Sequence, residues 1–250
     1  MKLNEIAQDP EQVAIHDWFL EFRRPNSNEP TNDNDFTVKA GMIYVLKDDV
    51  YLNNHKLKSL PYQFAPMPDL VFKVHSNELT SLVNCPKKCK EFDADKNNLT
   101  NLEGGPEETS GQYTAWKNKL TSLKGCPKFV GEDFDVSDNQ LTEIDFAPEI
   151  ILGDFNIAKN KITSLKDIHK KCHQCNGHIV IGGTPISKAI LGVILIDHLE
   201  SLSVIVQVAH SMPLLKAAAI VNKYLGKGKA GVLDAQNELI EAGLDDFAEL

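Results

Sequence analysis

Five side chains between residues 169 and 178 carry metal-ligand chemistry: His169, Cys172, His173, Cys175 and His178. Cys172-x-x-Cys175 has the spacing of a zinc knuckle, and His169 or His178 could complete a tetrahedral site. No second Cys-x-x-Cys pair accompanies it. The segment is therefore read as a polar loop, and neither metal nor cofactor is expected. Asp93, Asp95, Asp133 and Asp135 are a second group, with the paired carboxylates that acid–base catalysis uses. On an open sheet such groups stay solvated and lack the desolvation that tunes an acid, so no enzymatic activity is expected. Gly226-Lys227-Gly228-Lys229 lacks the spacing of a phosphate loop and reads as a turn between helices. The fourth feature is Trp116, a large apolar side chain among polar neighbours, which suits a protein-binding anchor.

The elements that must position these residues form an internal repeat. Phe72-x-Val74-x-x-Asn77-x-Leu79-x-x-Leu82 recurs from Phe92 through Asn97 to Leu102 and from Tyr113 through Asn118 to Leu123. It recurs again from Phe134 through Asn139 to Ile144 and from Phe155 through Asn160 to Leu165. The asparagines step by 20 or 21 residues. Worn copies flank them, with His55 and Thr184 at the Asn position. The first two apolar positions alternate, as on a short strand with one buried face. The Asn sits in the following turn, where its amide can satisfy buried backbone groups of the next coil. One coil cannot bury its own apolar face, so the coils must stack into a solenoid of six or seven turns.

That register assigns the outward positions. One exposed column is Tyr51, Lys73, Asp93, Thr114, Asp135 and Asn156. The next is Asn53, His75, Asp95, Trp116, Ser137 and Ala158, with Asp133 and Asp154 where strands begin. The face is acidic with Trp116 near its middle. The expected protein-binding site is Trp116 surrounded by Asp93, Asp95, Thr114, Asp135 and Ser137. Asn77, Asn97, Asn118, Asn139 and Asn160 form a structural ladder.

Four regions follow in order. Residues 1–35 comprise a helix over 11–22, with Val13, Trp18, Phe19 and Phe22 sharing one side, and a polar linker over 23–35. Residues 36–49 form an N-terminal cap, with strand material over 36–45 completed as a hairpin-like unit by 49–52. The solenoid occupies 50–186. Prolines in its connections (Pro86, Pro106, Pro127, Pro148) favour extended or 3₁₀ backbone on the far side. The stretch 170–178 breaks the rhythm. Residues 187–250 form a helical C-terminal cap, with helices over 187–196, 213–224 and 232–242 and a strand over 202–206. Its Leu225, Leu239 and Phe247 are either core or a competing binding surface.

The 250 residues carry a formal net charge of −9, which argues against nonspecific binding to nucleic acid or anionic membranes. No apolar run has the length of a membrane span, and the polar N-terminus lacks a signal-peptide core. The odd cysteine count of five suggests a reducing compartment. Cys85 and Cys126 share one repeat position with Gly105 and Ala147, and Cys89 aligns with Val130 and Ile151, so these thiols read as small buried residues.

The copies resemble leucine-rich repeats. Phrases such as Asn97-Asn98-Leu99-Thr100-Asn101-Leu102-Glu103-Gly104 and Leu120-Thr121-Ser122-Leu123-Lys124-Gly125-Cys126-Pro127 are similar to those of leucine-rich repeat proteins encoded by tailed bacteriophages. The tail phrases Ile220-Val221-Asn222-Lys223-Tyr224-Leu225 and Glu238-Leu239-Ile240-Glu241-Ala242-Gly243-Leu244 share that resemblance. It spans residues 36–250. It implies an α/β solenoid bent into a horseshoe with a parallel concave sheet, and it implies no reaction. The expected function is a non-catalytic protein-binding module in the host bacterial cytoplasm. It would engage a host protein with a basic surface, for host takeover or inhibition of host defence. The alternatives are a virion-associated structural protein and a metal-dependent enzyme using the Cys172 loop.

Overall fold

The computed structural model describes residues 10–22, 36–203 and 212–250. The expected linker over 23–35 and the portion of the expected strand beyond Ser203 lie outside them. A hairpin of β1 (Phe36–Lys39) and β2 (Met42–Val45) leads into short strands that come in pairs. These are β3 (Val50–Tyr51), β4 (Gln63–Phe64), β5 (Phe72–Lys73), β6 (Lys88–Cys89), β7 (Phe92–Asp93), β8 (Glu108–Thr109) and β9 (Tyr113–Thr114). They continue as β10 (Phe129–Val130), β11 (Phe134–Asp135), β12 (Ile150–Ile151), β13 (Phe155–Asn156), β14 (Gln174–Cys175), β15 (His178–Val180) and β16 (Ser201–Ser203). Helix α1 (Pro10–Phe22) precedes them, and α2 (Met212–Asn222) and α3 (Gly228–Glu241) follow.

Stacking the coils generates a β-solenoid. The larger sheet has eight strands in the order β3-β5-β7-β9-β11-β13-β15-β16, every neighbouring pair parallel. The opposite side, where extended or 3₁₀ backbone was expected, carries a five-stranded parallel sheet, β6-β8-β10-β12-β14. Prolines at 86, 106, 127 and 148 stand just before these strands, so they remove no donor from the ladder.

Two features lock the coils together. An aromatic spine runs through the core from Phe19 and Phe64 to Phe72, Phe92, Tyr113, Phe134 and Phe155, with successive ring centroids 4.9–6.2 Å apart. The second is the Asn ladder. Asn118 donates Nδ2 to the carbonyls of Ala94 (3.0 Å) and Ala115 (3.1 Å), while its Oδ1 accepts from Leu99 N (3.1 Å). Asn97, Asn139 and Asn160 repeat the arrangement one coil along, and Asn77 reaches back to Leu52 O, His55 N and Leu57 N. Thr184 ends the ladder, its hydroxyl donating to Ile157 O and accepting from Asn160 N. The residue before each ladder position is left-handed: Ser76, Lys96, Lys117, Asp138, Lys159 and Gly183 all have φ between 52° and 72°. That turn aims the Asn inward.

Several expectations need correction. In α1 the buried face is Ile15, His16 and Phe19, with Val13 and Trp18 only partly covered, because Phe19 inserts against Phe36 and Phe64. The hairpin is β1 with β2 alone, and Val50–Tyr51 instead begins the large sheet. Residues 170–178 keep the repeat's register: Ile150 and Ile151 pair with Gln174 and Cys175, the extra residues being absorbed by a 3₁₀ turn over Ile168–Lys170. The helix expected over 187–196 is a 3₁₀ segment, Leu191–Leu195, because Ser187 and Lys188 pair with Thr163 and Ser164 of the preceding coil and Ala189 is left-handed at φ 54°, which breaks a helix before Ile190. It packs against α2 and α3, whose Leu239 is buried along with Phe247, while Leu225 is partly buried on the same core.

Candidate functional site

The open side of the eight-stranded sheet presents the expected columns in register. Tyr51, Lys73, Asp93, Thr114, Asp135, Asn156 and Val180 align across neighbouring strands, and all are partly exposed. Two residues further along each coil, Asp95, Trp116, Ser137 and Ala158 are likewise partly exposed. The repeat thus brings Trp116, Asp93, Asp95, Thr114, Asp135 and Ser137 onto one surface.

Asp95 is the centre of the local electrostatics. It accepts from Trp116 N through Oδ1 at 2.9 Å and from the Thr114 hydroxyl. Burial, then the charge of Asp93, and to a smaller degree Asp135, push its pKa up to about 7 against the downward pull of those two hydrogen bonds. The expectation that every carboxylate of this face is solvated fails here, because Asp95 is drawn into bonds with Thr114 and the Trp116 backbone on the next coil and is largely desolvated. Asp135 accepts from Ser137 N (2.8 Å) and from Asn156 Nδ2 (2.9 Å). Among the described residues no Lys, Arg or His forms an ion pair with Asp93, Asp95 or Asp135.

The surroundings of Trp116 are more mixed than an acidic ring. Lys96 Nζ lies 4.8 Å from its ring centroid and Lys117 Nζ 6.0 Å, both from the left-handed turn position. Around Trp116 the carboxylates of Asp93, Asp95 and Asp135 therefore face lysines at the turn positions. Beyond Trp116 the side chains of its column shrink through Ser137 and Ala158 to Gly182. The result is a hollow of about 310 Å³ walled by Trp116, Asp138, Asn156, Lys159 and Val180. Sequence reasoning missed this hollow. Its signal was present as the falling side-chain size along one column, which becomes legible once 178–183 is recognised as another copy.

Asp133 and Asp154 serve the backbone. Asp133 Oδ1 accepts from Asp154 N, and Asp154 Oδ1 accepts from His178 N, each at 2.8 Å. A Cβ at Gly153 or Gly177 would overlap those carboxylate oxygens, which explains glycine at both places. The cysteines are core. Cys85, Cys172 and Cys175 are wholly buried, Cys89 nearly so, and Cys126 partly covered. Burial pushes the thiol of Cys172 up to about 12 and that of Cys175 up to about 11. Cys172 stands where earlier coils have proline, and Cys175 where they have Val130 and Ile151. His178 turns to the open face and Ser201. Among the described residues no three His, Cys, Asp or Glu side chains are grouped to hold a metal, and no helix is long and apolar enough to cross a membrane.

Comparison with protein-family models gives no match, and a search of curated proteins gives no relative.

Proposed function

We propose that the chain is a non-catalytic protein-binding module of the leucine-rich repeat type, bent into a horseshoe whose open sheet is the concave, partner-facing side. On this reading α1 with the β1–β2 hairpin, and α2 with α3, act as caps over the two ends of the stacked core. The partner is a host bacterial protein, met in the cytoplasm of a cell infected by the phage that encodes the chain. One observation carries the reading: partly exposed Trp116 at the edge of a parallel strand, with a hollow on one side and, on the other, carboxylates that form no ion pair among the described residues. Rigid strands lower the entropy lost on association, and a tryptophan beside a cavity is the usual form of a binding hot spot. The core positions of Cys172 and Cys175 give the metal-dependent alternative no support.

Affinity capture of the tagged chain from infected cells, followed by mass spectrometry, tests this. A stoichiometric host protein is the expected result. Co-purification with virus particles alone would replace the proposal with a virion-associated structural role.

A further inference from the structure

We propose that the open face recognises a short extended segment of its partner by two side chains: a Lys or Arg seated above Thr114, and an aliphatic residue three or four positions away that fills the hollow beside Trp116. This rests on the protein-binding reading of the same face and adds the chemistry of the partner.

The hollow comes first. Lys96 stacks over the Trp116 ring from the coil before, whereas the cavity opens toward the coils after it. The floor consists of Ser137, Ala158 and Gly182, and Val180 adds an apolar wall. A side chain entering there meets one indole face and a floor without long polar groups. Its complement is a compact aliphatic group. A second ammonium is disfavoured, because Lys96 and Lys117 flank the ring and Lys159 lines the rim, against the single carboxylate of Asp138.

The cationic position follows from register. Thr114 lies between Asp93 and Asp135 on adjoining strands, and its hydroxyl bonds Asp95. A cation above Thr114 therefore faces three carboxylates. Each accepts from a backbone N–H, Asp93 from Asp95, Asp95 from Trp116 and Asp135 from Ser137, and among the described residues none of the three forms an ion pair, although Lys73 stands beside Asp93 in register. A planar guanidinium or an ammonium supplies the missing charge.

Geometry sets the spacing. Thr114 and Ala158 are two coils apart across the sheet and offset by two residues along it, roughly 12 Å from strand spacings of about 4.8 Å and rises of about 3.3 Å. An extended segment covers that in three to four residues.

The test is selection of displayed random twelve-residue peptides on the full chain, with Trp116→Ala as counter-target, then binding of the selected peptides by fluorescence anisotropy at two salt concentrations. The expected peptides carry Lys or Arg three or four residues from Leu, Ile, Val or Met. Their affinity should fall roughly tenfold or more for Asp93→Asn with Asp135→Asn, with a flatter salt dependence. It should also fall for Ala158→Leu, which fills the hollow from a partly exposed site; thermal melting verifies that both variants fold. Peptides that need Trp116 yet bind both variants normally would overturn the two-point recognition while leaving face binding intact. Peptides that bind Trp116→Ala as well as the natural chain would overturn both.

Discussion

Replacing Asn118 by Ala removes one rung of the ladder, and the structure fixes what is orphaned. Asn118 makes three bonds to buried backbone groups: Ala94 O, Ala115 O and Leu99 N. The two carbonyls are not left bare. Ala94 O also accepts from Asn97 Nδ2, and Ala115 O from Asn139 Nδ2. Leu99 N loses the acceptor that the ladder gives it. One orphaned buried N–H costs about 2 kcal/mol, and two weakened but still bonded carbonyls add about 0.5 kcal/mol each, so the loss should be about 3 kcal/mol. Urea denaturation followed by circular dichroism measures it. Asn98→Ala, at a neighbouring position whose side chain is outside the ladder, is the control and should shift stability by less than ~0.5 kcal/mol. A denaturation midpoint for Asn118→Ala equal to that of the control would refute the claim that the ladder holds the coils together.

Three other perturbations test separate parts of the structure. Asp95 has its folded pKa raised to about 7 from the model-compound value of 3.8, so its contribution to stability is full below about pH 4 and is lost as pH rises through 7. Asp95→Asn can still accept from Trp116 N without the charge, and its melting temperature should exceed that of the natural chain at pH 8 and converge with it near pH 4; equal melting at pH 8 would count against the buried carboxylate. Phe146 is 61% exposed yet left-handed at φ 66°, where sister coils have Gly104, Gly125 and Asn84. Phe146→Gly should stabilise by about 0.5–1 kcal/mol, the left-handed penalty of roughly 1–2 less the entropic cost of glycine, read from the urea midpoint. Finally, a Cβ on Gly105 would stand 2.9 Å from Leu82 Cδ1 and 3.1 Å from the buried, unbonded Tyr113 hydroxyl. Gly105→Ala should destabilise by about 1–3 kcal/mol, and Tyr113→Phe should recover part of that loss in a double-mutant cycle.

The solenoid was legible because its signal repeats. Five asparagines at steps of 20 or 21 residues report one physical requirement, a buried amide per turn, and the columns of outward residues followed from them. What stayed illegible lies where the repeat is worn or packing overrides pattern. Ser187 to Ile196 looked helical from composition, but Ser187 and Lys188 pair with the preceding coil and Ala189 is left-handed, which leaves only a 3₁₀ segment, Leu191–Leu195. The Cys172-x-x-Cys175 spacing suggested zinc, whereas each cysteine occupies a core position of the repeat. The lysine stacked on Trp116 comes from a residue 20 positions earlier, and the burial of Asp95 arises between coils; of the causes of its raised pKa, only the charge of Asp93 lies within a local window. The outward columns align across the strands as the repeat register implied, but the lysines at the left-handed turn positions, Lys96 and Lys117, were not counted with them.

The central claim is that the open sheet around Trp116 binds the partner. Its most direct test is titration calorimetry of the captured host protein against three folded variants. These are Trp116→Ala, Asp93→Lys with Asp135→Lys, and Asp234→Lys with Glu241→Lys on the exposed side of α3. The first should cost at least ~2 kcal/mol of binding, the second should weaken binding and reverse its salt dependence, and the third should bind as the natural chain does. Normal binding by the first two with loss confined to the third would place the interface on the C-terminal helices and contradict the claim.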